Sequence, residues 1–244
     1  MRPRTFTKQL PQLMTMVAVI IVCAAPNSFA SQPGRIFLRE NLSATNRDHL
    51  ITKLRRITGL GQLRFESNGS LVIGAESDRR GSQIARTLLA TAIAGRDLVV
   101  FEDASSRADV VFCRVVPGKD LNTHVILIDF TDFERLIGDK KARESFDVGW
   151  GVLHELDHVV RDTEDADVND HLGECEKHIN EMREELGLPL RADYFYRPTL
   201  LRTNPNFRTN FVSLSFEQRD TATGKLKTFL LTWDSEAVGS IPPT

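Results

Sequence analysis

The chain has 244 residues, a formal net charge of −2 and 26% charged residues. That length fits one large domain or two small ones. The near-neutral balance, with no long basic run, excludes a chain built mainly to hold nucleic acid.

The first thirty residues read as an export leader. Arg2, Arg4 and Lys8 precede an apolar run from Leu13 to Ala25, and Ser28 and Ala30 place small residues before a cut after Ala30. The run is short for a spanning helix, which needs about 20 residues. The expected product is therefore secreted or periplasmic, with an uncleaved N-terminal anchor as the alternative. Residues 31–244 are expected to form one domain carrying 28 Lys and Arg against 33 Asp and Glu. No later run is long enough for stable membrane insertion. Cys113 and Cys175 remain after cleavage; an oxidising compartment lets them pair, or they stay as separate buried thiols.

Along the mature chain, "SATNRDHLITKLRRITGLG" opens on cap-type residues and ends in glycine, with Leu50, Ile51, Leu54 and Ile57 at helical spacing. "LRFESNGSLVIGA" alternates around Asn68-Gly69, a hairpin signal. "GSQIARTLLATAIAG" reads as a helix closed by Gly95. Three strand-like runs follow, "DLVVFE", "DVVFCRVV" and "HVILIDF". A helix through Phe133, Leu136 and Ile137 is predicted next, then one starting near Phe146. "GECEKHINEMREELGLP" is a further helix, stopped by Gly187 and Pro189. "FVSLSFEQ" and "LKTFLLTWD" read as strands joined by a turn at "TATGK". The predicted class is α+β, with a helical region before a C-terminal β-hairpin.

The helix after Phe146 contains "GVLHELDHVVRD". His154 and His158 are four residues apart, so on a helix they stand one turn apart on one face, where two imidazoles can share a zinc ion. Glu155 lies about 100° round the helix. It is placed to take a proton from water whose pKa the metal has lowered to about 7, and to pass it to a leaving amine. Val148, Val152, Leu153, Leu156, Val159 and Val160 share the packing side. The histidines point the other way, with Asp147, Gly151, Asp162 and Asp165 nearby.

"HELDH" resembles the zincin metallopeptidases. The resemblance covers His154 to His158 strictly, and Phe146 to Leu188 as a helix–loop–helix layout. It implies a zincin-like domain that binds zinc and hydrolyses peptide or protein substrates, with Glu155 as catalytic base and a third ligand completing the site. The metzincin pattern asks for glycine at 161 and histidine at 164, where this chain has Arg161 and Glu164. The gluzincin pattern puts a glutamate on a following helix. Glu176, 18 residues after His158, flanks the apolar stripe of that helix and leads; Glu174, His178, His171 and Asp170 are alternatives. The carboxylate that gluzincins place four residues beyond the ligand glutamate is absent, since this chain has Asn180 there. Cys175 falls on the apolar stripe and reads as a buried thiol. Tyr194 and Tyr196 follow the site; packing is the commoner role for such rings, and oxyanion contact the other. "HVILIDF" is a candidate cleft edge for an extended peptide. A non-catalytic zinc-binding envelope or secreted protein is the rival reading.

Overall fold

The computed structural model describes residues 35–75, 80–105, 107–199 and 210–239, so the leader expected over residues 1–30 lies outside it. All the described residues belong to one unit, Pro33–Thr244. The class is mixed α+β. In chain order the elements are β1 (Ile36–Leu38), α1 (Ala44–Thr58), β2 (Arg64–Phe65), β3 (Leu71–Val72), α2 (Gln83–Ala94), β4 (Leu98–Asp103), β5 (Cys113–Pro117), β6 (Thr123–Ile128) and α3 (Phe130–Glu134). There follow β7 (Ile137–Gly138), α4 (Lys140–Ser145), α5 (Val148–Arg161), α6 (Gly173–Glu185), β8 (Leu190–Arg191), β9 (Arg197–Pro198), β10 (Phe211–Arg219) and β11 (Leu226–Asp234).

The helices begin where their caps begin. Ser43 Oγ accepts from Asn46 N–H (3.1 Å), and the left-handed Gly59 (φ 70°) ends α1 after burying Leu50, Ile51, Leu54 and Ile57. Ser82 Oγ does the same for α2, accepting from Ala85 N–H at 3.0 Å. Asp147 caps α5 through Gly149 N–H (3.0 Å) and is held by Arg56 (2.7 Å) and Lys53 (3.2 Å) of α1. The start of α5 is thus tied electrostatically to the first helix.

One sheet has the order β1-β4-β6-β5. The first three strands are parallel, and β5 runs antiparallel to β6 at the edge. The "HVILIDF" run therefore does not supply a free edge: β6 is interior, flanked on both sides, and Val125 to Ile128 are buried. The edge on that side is β5, against which α5 packs. Its even-numbered neighbours face β6, since Asp129 N–H donates to Phe112 O (2.8 Å) and Gly118 N–H to Thr123 O (2.7 Å). By alternation, Cys113, Val115 and Pro117 turn their backbone groups outward.

The second sheet has the order β7-β11-β10-β8, with β9 also pairing with β10. Its centre is the hairpin of β10 and β11, Phe211 opposite Asp234 through Arg219 opposite Leu226, turned by the "TATGK" segment. Two sequence readings change. The "DVVFCRVV" run enters a strand only at Cys113, because Phe112 has a left-handed backbone (φ 62°). Its ring packs instead against Phe133, Phe146 and Trp233, with centroids 5.2–5.3 Å away. The helix predicted through Phe133, Leu136 and Ile137 stops at Glu134. Ile137 and Gly138 are captured as β7 by β11, and Gly138 at φ 128° is outside helical geometry.

Helix α5 packs on α1 and α2, on strands β5 and β6, and on α6. Val148, Trp150, Val152, Leu153 and Leu156 are buried in that core. Among the described residues no helix is long and apolar enough to cross a membrane.

Candidate metal centre

Helix α5 ends at Asp162, whose left-handed backbone (φ 55°) reverses the chain while its N–H donates to His158 O (3.0 Å). Aspartate tolerates that conformation better than most residues. The reversal brings the connection back over the histidines. Thr163 Oγ1 donates to buried Asp157 (3.1 Å), and Cys175 N–H reaches Glu164 O (3.2 Å). Asp165 is thereby set against both imidazoles. Its Oδ1 lies 3.0 Å from His154 Nε2 and 3.3 Å from His158 Nε2.

Each histidine is held from its other side. His158 Nδ1 lies 2.7 Å from Thr163 O, a carbonyl that can only accept, so Nδ1 carries the proton. His154 Nδ1 faces Glu176 Oε2 at 3.5 Å. Both rings then direct Nε2 to a common point, as outer hydrogen bonds arrange for metal-ligating histidines. The rings stand nearly perpendicular, 83° apart with centroids at 4.9 Å. Cys175 Sγ completes the group: one ligand atom each from His154, His158 and Cys175 lie within 4.8 Å of one another. This group can hold a metal ion. Tetrahedral bonds of about 2.0–2.1 Å put neighbouring donors roughly 3.3 Å apart, and the contacts of Asp165 to the two imidazoles match that separation.

The two histidines and Asp165 form a charge-assisted cluster. Burial works against charge on both histidines, but Asp165 and the other acceptors outweigh it. His158 is raised to about 10, and His154 is also well above its ordinary value. Asp165 is pulled far below the usual carboxylate range, the two histidines overcoming its own desolvation. Burial raises Tyr194 above the usual phenol range, with Asp165 adding to the effect; its ring stacks on His154, centroids 6.0 Å apart and planes at 26°.

The sequence-derived residues divide clearly. His154 and His158 come together as expected. Glu155 is buried, and its Oε2 accepts from the outward-facing Val115 N–H of β5 at 2.8 Å. Desolvation raises its pKa, with the two histidines opposing. Glu176 does sit beside His154, but its carboxylate is engaged by Arg183 and by Arg191 Nη1 (2.9 Å). Those arginines hold it well below the carboxylate range despite complete burial. Its place is behind His154, on the Nδ1 side. Glu174 is exposed, His178 Nδ1 bonds Asp157 Oδ2 (2.9 Å), Asp170 pairs with Lys177, and the His171 ring meets Phe195 at 6.4 Å. Cys113 and Cys175 are free thiols.

Asp165 is the residue that sequence reading passed over. It lies near the histidine face, seven residues after His158, ahead of the helix that carries the gluzincin-type candidates. The available signal was Asp162, a residue able to take the left-handed cap and turn the chain back.

The connection closes at Gly173 (φ 71°), where a Cβ would come under 3.0 Å from Ala166 N and Asp165 C. Gly173→Ala should therefore move the segment that carries Asp165. The expected result is a loss of about 1–3 kcal/mol in urea unfolding, together with weaker metal binding by competition with a chromogenic chelator.

A cavity of about 240 Å³ opens beside His154 and Glu155, with Trp150, Tyr194 and Trp233 among its walls. Comparison of the chain with family models, curated proteins and solved structures returned no match.

Proposed function

We propose that the chain is an exported zinc-dependent hydrolase of peptide bonds, with zincin-like layout. His154, His158 and Asp165 hold the metal, and Glu155 is the base. The observation that carries this reading is the convergence of His154 Nε2 and His158 Nε2 on one oxygen of Asp165 (3.0 and 3.3 Å), with Nδ1 of each ring secured behind. Two imidazoles and a carboxylate suit zinc and leave a tetrahedral position open. Asp165 takes the role that sequence reading assigned to Glu176.

Bound zinc supplies a Lewis acid that lowers the pKa of water and polarises a carbonyl. The side chains do the rest. Glu155, on the helix turn beside His154 and open to the cavity, accepts a proton and returns it to the departing amine. Val115 N–H orients that carboxylate. Tyr194, stacked on His154 and bordering the cavity, is the candidate phenol for contact with a developing oxyanion.

One observation favours a second reading, a non-catalytic zinc module. Cys175 Sγ lies close enough to both histidines to act as a fourth donor, and four protein ligands make a closed structural site.

Metal analysis of three proteins separates the two. One zinc per chain is expected in the purified protein. Asp165→Ala should weaken zinc binding by more than about 100-fold, beyond the loss typical of an outer-sphere partner. Cys175→Ser should keep both zinc and hydrolysis of a mixed peptide library. Loss of zinc from Cys175→Ser, with no peptide cut by the zinc-loaded parent, establishes the closed site instead.

A further inference from the structure

We propose that the cavity beside His154 and Glu155 selects the substrate, taking one aromatic side chain, phenylalanine or tyrosine, next to the bond that is cut. This rests on the hydrolase reading above and adds the substrate class.

Position comes first. His154, Glu155 and Gly151 border the cavity, so a group held inside lies next to the reacting bond. Its size is the second point. About 240 Å³ is below the roughly 300–1,000 Å³ of sites that enclose a whole drug-sized ligand, and suits a single large side chain. The lining is the third. Phe146, Trp150, Tyr194, Tyr196 and Trp233 contribute rings, and Leu214 adds an aliphatic wall. Tyr196 and Trp233 already meet edge to face at 5.7 Å. An entering ring gains area burial and ring–ring geometry that an aliphatic chain does not.

Arg183 and Arg191 also line the cavity, and they separate aromatic from charged occupants. The lining is charge-matched: Glu155 and Glu176 balance the two guanidinium groups, and Glu176 is engaged by both arginines. A charged side chain of either sign therefore meets no excess of opposite charge, while a ring meets ring partners. The arginines are already committed to fixed partners at most of their nitrogens. Arg191 spends Nε on Asp193 O, Nη1 on Glu176 and Nη2 on Tyr194 O. Arg183 spends Nε on Ser145 O and Nη1 on Glu176 and Asn180. Their guanidinium carbons lie over rings, Arg191 4.7 Å from the Tyr194 centroid and Arg183 5.2 Å from that of Trp150.

The chain has two tryptophans, and both line the cavity. Their fluorescence therefore reports occupancy without any need for turnover. The test titrates zinc-loaded Glu155→Gln protein with blocked dipeptides, acetyl-Phe-Ala-amide and its Ala, Lys and Asp counterparts in the first position and then in the second. The Phe peptide should bind at least about tenfold tighter than the other three in one of the two positions. Leu214→Phe, which fills the cavity, should remove that advantage in protein shown to be folded by circular dichroism. Equal or tighter binding of the Lys or Asp peptide overturns the proposal, as does an undiminished Phe preference in folded Leu214→Phe. If Leu214→Phe does not fold, the ranking of the four peptides decides alone. Preferential Phe binding without cleavage by the parent protein keeps the pocket and removes the hydrolase. Cleavage with no Phe preference does the reverse.

Discussion

Replacing Glu155 with glutamine should reduce peptide hydrolysis by about 10²–10⁴-fold in kcat, the usual share of a positioned proton-transfer group. Zinc content should stay at the parent level. Glutamine keeps the volume and leaves one oxygen to accept from Val115 N–H, now 2.8 Å from the carboxylate. What it cannot do is take a proton and give it back. The histidines and Asp165 are untouched, so the metal stays. KM should change little, because the loss is confined to the reacting step. Steady-state kinetics on a cleaved peptide, with metal analysis of the same sample, checks both halves. A variant that loses zinc and activity together would make Glu155 a structural support of the site.

Replacing Glu176 with alanine should cost about 3–5 kcal/mol of folding stability, the range for breaking a buried ion pair from one side. Glu176, Arg183 and Arg191 form a buried triad, with Glu176 and Arg183 each about 1% exposed. Without the carboxylate, two guanidinium groups remain in the core with no counter-charge. Urea unfolding measures the loss. Zinc affinity should fall as well, by about 10–100-fold, since Glu176 stands behind His154 as an outer-sphere partner. A true ligand would show the opposite balance, with metal binding abolished and stability of the metal-free chain little changed.

The pH dependence has a definite sign. Glu176 has a folded pKa depressed below its ordinary 4.5. Its stabilising contribution is therefore fully present above about 4.5 and is lost as pH falls toward the folded value. The alanine variant should lack that component of acid sensitivity.

Local features were legible in the sequence. Ser43, Ser82 and Asp147 mark helix starts by the side-chain oxygens they offer, and Gly59 and Gly187 mark ends by the backbone conformation they allow. The separation of His154 and His158 from the apolar side of α5 follows from helical periodicity alone. Features that depend on a partner distant in sequence were not legible. Nothing in "HVILIDF" says that β5 will cover it, because sheet order is decided by packing between segments. Ile137 has an apolar side chain at helical spacing, yet the edge of β11, nearly a hundred residues later, takes it as a strand. Glu176 reads as a ligand until Arg191, from β8, is seen to be bound to it. Asp165 is a different case. It is close in sequence, but its position depends on a left-handed turn that aspartate permits without demanding.

The donor side chains His154, His158, Asp165 and Cys175 all come from one stretch of 22 residues. An ion bound there closes short loops, and loop-closure entropy grows only slowly with loop length. The site is thus of low contact order, while the sheet around it joins residues as far apart as Ile36 and Val99. An emerging chain can chelate the ion with this segment alone, before the sheets have paired. Were an ion captured there, it would pin α5 to α6 early and give the rest of the chain a preformed surface on which to assemble.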